Sequence, residues 1–126
     1  MSRAITILVL FFTLIISSCS AGSSDSQGQT SQSLIEDGKR VYNIQCASCH
    51  ALEKDKVVVG PSLYAIATNA SKRVEGQDAR SYIEASILNP NEYVVPGSPG
   101  LMPSDFGQRL SEDELEALIA YMLTLK

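Results

Sequence analysis

The ten residues 43–52, NIQCASCHAL, hold two of the chain's three cysteines and its only histidine. Cys46, Cys49 and His50 so close together admit three chemistries: a redox dithiol, half of a zinc site, or covalent attachment of haem. A closed zinc site takes about four nitrogen or sulfur ligands, and the chain offers no second pair beside these three residues. A thioredoxin-like dithiol sits beside a βαβ unit, and the chain shows no alternating strand pattern. The full motif C-x-x-C-H has its own logic. The two thiols add to the vinyl groups of haem, and the adjacent imidazole is placed to bind the iron from one face. In bacteria this attachment follows export, so the N-terminus bears on the question.

That terminus reads as an export signal. Arg3 is followed by the apolar run AITILVLFFTLII, residues 4–16. The run is shorter than the roughly 20 residues a spanning helix needs and matches the apolar region of a signal peptide. SSCS follows, and an aliphatic residue, two small residues and then Cys19 resemble the bacterial lipobox. In proteins bearing that motif, signal peptidase II cuts before the cysteine, which becomes lipidated. This also accounts for a cysteine left over in an exported chain. Residues 20–33, SAGSSDSQGQTSQS, are rich in Ser, Gly and Gln and have no apolar period. Such a segment is a flexible tether reaching about 20 Å r.m.s.. The expected organisation is a signal peptide over 1–18, a lipid-anchored tether over 19–33 and one folded domain over 34–126.

The domain is small and acidic. The chain has 126 residues, a net charge of −4 and no tryptophan. Side chains alone would build a thin core, which leaves room for a large apolar cofactor. An acidic chain without clustered Lys and Arg is poorly suited to nucleic acid.

The folded part reads as all-α, about four helices around one covalent haem. The segment SLIE offers a capping box, Ser33 with Glu36, for a first helix running into Cys46, with Leu34, Val41, Tyr42 and Ile44 as its apolar positions. Gly38 costs about 1 kcal/mol inside a helix relative to alanine, which makes sense where a second helix must come close. PSLYAIATNA, residues 61–70, predicts a short helix with Pro61 in its first turn, and RVEG a turn. Residues 77–88 predict a third helix stopped at Asn89-Pro90. The loop NEYVVPGSPGLMPSDFG is stiffened by proline. The last helix carries the strongest signal: Ser111 and Glu114 form a capping box, and Leu115, Leu118, Ile119, Met122 and Leu125 share a face.

A six-coordinate haem needs a second axial ligand, and the chain has no second histidine. Met1 is lost with the signal. Met122 lies on the apolar face of the last helix, where packing explains it. Met102, in the loop segment GLMPS and braced by Pro103, has no such explanation and is the expected distal ligand opposite His50.

CASCH, GPSL, LMPS and the last helix together resemble class I, mitochondrial-type, cytochromes c, over residues 34–126. The resemblance implies a crossing of the first and last helices through Gly38 and Tyr42 on one side and Leu118 and Tyr121 on the other. It also implies that the Pro61 carbonyl accepts a hydrogen bond from the proximal histidine, fixing the ring. Residues 81–103 are similar to the cytochrome domain of some bacterial haem–copper oxidase subunits II and to the small lipoprotein cytochrome of alternative complex III. The chain lacks the copper domain and membrane hairpin of the former. By that likeness Tyr93 lies near the haem, at a propionate.

The expected function is single-electron transfer, not enzyme catalysis, at the periplasmic or outer face of a cell membrane. The expected partners are redox proteins of a respiratory or photosynthetic chain: a quinol-oxidising complex, and a terminal oxidase or reaction centre. No small-molecule substrate is expected. A haem subunit of a larger complex, and a haem enzyme or gas sensor with an opened iron, are the competing readings. Lys54, Lys56, Lys72 and Arg73 are either a docking patch or solvated charges.

Overall fold

The computed structural model describes residues 30–126. The signal peptide, Cys19 and residues 20–29 of the tether lie outside the described residues.

Helix α1 spans Ser31–Gln45. It starts earlier than the Ser33 box would place it, because Ser33 is itself a capped position. The Ser33 N–H donates to the Thr30 hydroxyl oxygen at 3.2 Å, and the Ser33 hydroxyl returns to the Thr30 carbonyl at 2.9 Å. Glu36 instead accepts from the Gln32 amide at 2.9 Å, one turn away. The helix thus takes in the last residues of the expected tether. Its buried face is Gly38, Val41 and Tyr42, with Ile35 packed against the core. Ile44 is 69% exposed and does not belong to that face.

Pro61 does not open a helix. Residues 61–63 are irregular, and α2, Ile66–Asn69, begins only after Ala65, which sits in the left-handed region at φ 52. The polar groups at 61 and 62 are committed elsewhere. The Pro61 carbonyl serves His50, while the Ser62 hydroxyl donates to the Glu53 carbonyl at 2.6 Å and accepts the Tyr64 N–H at 3.0 Å. A 3-10 turn, Ala70–Lys72, continues α2. The stretch 73–76 then turns the chain, with Gly76 at φ 81.

Helix α3, Ala79–Leu88, is capped by Asp78, whose carboxylate takes the Ser81 N–H at 2.8 Å. That bond holds the Asp78 carboxyl below its ordinary range. The helix ends at Asn89, as the following proline requires. Helix α4, Phe106–Arg109, is a single turn within the segment expected to be loop. It exists because Phe106 is buried against the core and Arg109 lies over its ring, 4.7 Å from the centroid.

Helix α5, Glu112–Met122, carries the expected capping box: the Glu114 N–H donates to Ser111 Oγ at 3.2 Å, and the Ser111 N–H to Glu114 Oε2 at 2.9 Å. Its first turn holds Glu112, Asp113 and Glu114, favourable at the positive end of the helix dipole. The helix closes at Met122, so Leu125 lies beyond it, where its carbonyl accepts the Ala67 N–H at 3.0 Å. Five α-helices are therefore present among the described residues, one more than expected. Those residues contain no strand, only an isolated bridge between His50 and Val57.

α1 and α5 form the main helix pair. They meet at Gly38, where a β-carbon would lie 1.9 Å from the Ala117 carbonyl oxygen and 2.7 Å from Tyr121 Cβ. One turn along, Tyr42 and Tyr121 pack with ring centroids 5.7 Å apart at 47°. Gly38→Ala should lower unfolding stability in denaturant titration by about 1–3 kcal/mol or more, since the clash is with backbone. Shortening Tyr121 as well should not restore it.

Candidate functional site

The CASCH motif hangs from the C-terminal end of α1. Cys46 is the C-cap, and the N–H groups of Cys46 and Ala47 donate to the Tyr42 carbonyl at 2.8 and 3.0 Å. The N–H groups of Cys49 and His50 fold back onto the Cys46 carbonyl at 3.0 and 2.9 Å. This tight turn brings both thiols and the imidazole to one edge of a cleft. The Cys49 carbonyl accepts from Val59 and Gly60 at 3.2 and 2.9 Å, drawing the next loop over the motif.

His50 is held at three points. Nδ1 lies 2.8 Å from the Pro61 carbonyl oxygen. A carbonyl only accepts, so Nδ1 carries the proton and Nε2 keeps its lone pair. The ring comes close to Gly60, where a β-carbon would lie 2.4 Å from His50 Cε1 and 2.9 Å from both ring nitrogens. The His50 carbonyl accepts from the Tyr42 hydroxyl at 2.6 Å. Burial pushes the Tyr42 phenol up, which keeps it a donor.

Burial and the neighbouring Cys49 push the Cys46 thiol up to about 11, against a smaller opposing pull from Arg109. A redox-active cysteine is tuned the other way, toward the thiolate. A zinc site fares no better: among the described residues no group of three or more His, Cys, Asp or Glu is placed to hold a metal ion.

The cleft has a cavity volume of about 140 Å³ and opens to solvent at its mouth. Its walls are largely apolar, including Leu63, Ile66, Ile83, Ile87, Phe106 and Leu118. Met102 lines it from the proline-rich loop and is partly buried. Met122 also lines it but is buried within α5 as part of the core. Tyr93 lines the wall and packs edge-on against Tyr82, centroids 5.9 Å apart at 73°. Arg73 is the single charged side chain in the lining, and the structure pairs it with no carboxylate among the described residues. It therefore separates from Lys54, Lys56 and Lys72, which are exposed, Lys56 being paired with Glu53 at 2.8 Å.

Two soft or borderline donors in one apolar cleft, two thiols at its edge and one cation in its lining suit a flat apolar macrocycle bearing carboxylates. Of the expected site residues, Cys46, Cys49, His50, Pro61, Tyr93 and Met102 all line this one cleft, and Cys19 lies outside the described residues. Sequence reasoning missed Gly60 and the Tyr42 hydroxyl, and it grouped Arg73 with three lysines as a docking patch or solvated charges, whereas Arg73 lines the cleft. The signal for Gly60 was its place beside Pro61; for Tyr42 it was a phenol on a buried helix face, which needs a partner. Gly60→Ala should displace the imidazole. Expected are a shifted Nδ1–H proton resonance and a stability loss of about 1–3 kcal/mol; an unmoved resonance would contradict the close approach.

Residues 35–126 match the sequence profile of the family Cytochrome c. Cytochrome c6 of Microcystis aeruginosa is 33% identical over 87 residues, covering 69% of this chain and 91% of its own length. Cytochrome c6 of Cladophora glomerata is 30% identical over 90 residues, covering 71% and 86%. Cytochrome c 2.1 of Caenorhabditis briggsae is 29% identical over 99 residues, covering 69% and 84%. Members of this family carry one covalent haem c, serve as electron carriers and not as enzymes, and work with redox protein partners. With its C-x-x-C-H turn at the edge of an apolar cleft and its all-α class I fold, the chain belongs to the cytochrome c family.

Proposed function

We propose that this haem electron carrier is a lipid-anchored relay, held at the outer face of a cell membrane, that passes single electrons from a quinol-oxidising complex to a terminal oxidase or reaction centre. The observation that carries the electron-transfer part is the convergence of His50 and Met102 on one cleft whose edge holds Cys46 and Cys49. In this reading the two cysteines bind haem through thioethers, His50 is the proximal ligand and Met102 the distal one.

The haem iron supplies the chemistry, one electron taken up and given back. The protein supplies its setting. Pro61 fixes the imidazole tautomer and strengthens Nε2 as a ligand. A thioether from Met102 favours the reduced state and raises the potential. The apolar walls disfavour the more highly charged oxidised site and exclude water. Arg73 is the candidate partner for a propionate, and Tyr93 lines the same cleft. A general acid–base constellation has no place in such a site.

The anchor rests on sequence alone: the apolar run over 4–16, Cys19 in its lipobox context, and the Ser/Gly/Gln-rich segment after it. No helix among the described residues is long and apolar enough to cross a membrane. Two or three acyl chains hold a protein stably where one does so only marginally. A tether of this length confines the domain to about 20 Å around its anchor, which raises its effective concentration at membrane partners.

Cys19→Ser should release holoprotein from membranes or leave an uncleaved precursor, with the visible spectrum unchanged. Turnover with native membranes should then fall severalfold and recover only at high added protein. A mature chain whose Cys19 is unmodified or absent would sink the anchor. If the released protein supports undiminished turnover at native abundance, tethering has no role in the relay.

A further inference from the structure

The hydroxyl of Tyr42 does something that helix packing does not require. Its ring meets Tyr121 of α5, and a phenylalanine ring would meet it equally well. The hydroxyl reaches past the haem-binding turn and donates to the His50 carbonyl at 2.6 Å. The carbonyl of the same residue accepts the N–H groups of Cys46 and Ala47 at the start of that turn. Tyr42 therefore holds the CASCH turn at both ends, and its ring is seated on the helix that crosses α1.

We propose that Tyr42 is a positioning residue for the axial histidine: its hydroxyl fixes the His50 peptide, and so the plane of the imidazole, relative to the α1–α5 crossing. The inference rests on the reading of His50 as the proximal ligand. The imidazole already has two restraints, the Pro61 carbonyl at Nδ1 and the close approach of Gly60 at Cε1. Both belong to the following loop, where Gly60 and Pro61 are half-buried. Tyr42 is 4% exposed and belongs to the helix core. It adds a side-chain restraint from the buried helix core to the bond that the His50 N–H makes to the Cys46 carbonyl at the helix end. Without the hydroxyl, the turn keeps its bonds to the Tyr42 carbonyl and the His50 N–H its bond to the Cys46 carbonyl, while the His50 carbonyl loses its tie to the helix core and the His50–Ala51 peptide can tilt, carrying the ring with it.

The test compares ferric holoprotein of wild type, Tyr42→Phe and Tyr121→Phe by proton NMR of the haem methyl groups, whose paramagnetic shifts follow the orientation of the axial ligand planes. Tyr42→Phe should change the order or spread of those resonances while keeping covalent haem and the far-red methionine–iron band. Tyr121→Phe also keeps the ring and loses a hydroxyl, one that makes no hydrogen bond to the haem-binding turn, and should leave the pattern as in wild type. Tyr42→Phe shifts superposing on wild type, or an equal change in Tyr121→Phe, would overturn the proposal. Should Tyr42→Phe yield no holoprotein, wild type labelled with ¹³C at the His50 carbonyl decides. In mixed H₂O and D₂O its resonance should show an isotope splitting from the phenol proton in addition to the one that the Ala51 amide gives, and a resonance with the amide splitting alone overturns the proposal. The underlying reading fails separately: a wild-type haem that acid-acetone extracts freely would sink the thioether attachment and with it the assignment of His50.

Discussion

The backbone contact between α1 and α5 is the constraint on which the rest of the molecule depends. At Gly38 the helices approach so closely that a single methyl group would overlap the Ala117 carbonyl. The crossing fixes where α1 ends, and α1 ends at the haem-binding turn. Cys46 caps the helix, Cys49 and His50 fold back onto Cys46, and Tyr42 ties the turn to the helix one level below. A shift of α1 along α5 would therefore carry both thiols and the His50 imidazole with it. The surface ion pairs contribute little by comparison. Arg80–Glu116 and Arg40–Asp37 are largely exposed, and such pairs are worth about 0–1 kcal/mol.

The cleft accounts for the thin core. Leu118 and Ile119 are the largest side chains that are fully buried, and both lie on α5. Much of the remaining apolar surface faces inward around the cleft, from Leu63 and Ile66 to Ile83, Ile87 and Phe106. Members of the family to which residues 35–126 belong carry one covalent haem c, which would complete that core. Fold and cofactor are coupled in the ordinary thermodynamic sense, since a ligand that binds the folded state alone stabilises it.

Local chemistry makes part of this fold and site legible in the sequence itself. The Ser111–Glu114 box needs only residues three apart, and it forms as read. Gly38 is legible because a glycine inside a helix is costly without a close neighbour. The C-x-x-C-H spacing is specific enough to name the cofactor. Misreadings arise where two local signals compete or a distant partner intervenes. Thr30 and Ser33 are both good caps, and a bond between them settles the choice. Pro61 suits a first helical turn, but its carbonyl is claimed by His50, eleven residues back. Phe106 sits in a proline-rich stretch, and only burial against the core makes its single turn helical. Arg73 resembles its basic neighbours in sequence, and only the path of the chain turns it into the cleft.

The assignment of the second axial ligand is the part of the account most open to a direct measurement, because two methionines line the cleft. Met102 comes from a loop braced by Pro103, and Met122 from the middle of the core. The decisive measurement is the far-red charge-transfer band of the ferric protein in Met102→Ala and Met122→Ala, read together with the midpoint potential. With Met102 as the ligand, Met102→Ala abolishes the band and lowers the potential, while Met122→Ala keeps the band and loses about 2–5 kcal/mol of stability as a truncated core residue. A band that persists in Met102→Ala and vanishes in Met122→Ala would contradict the assignment.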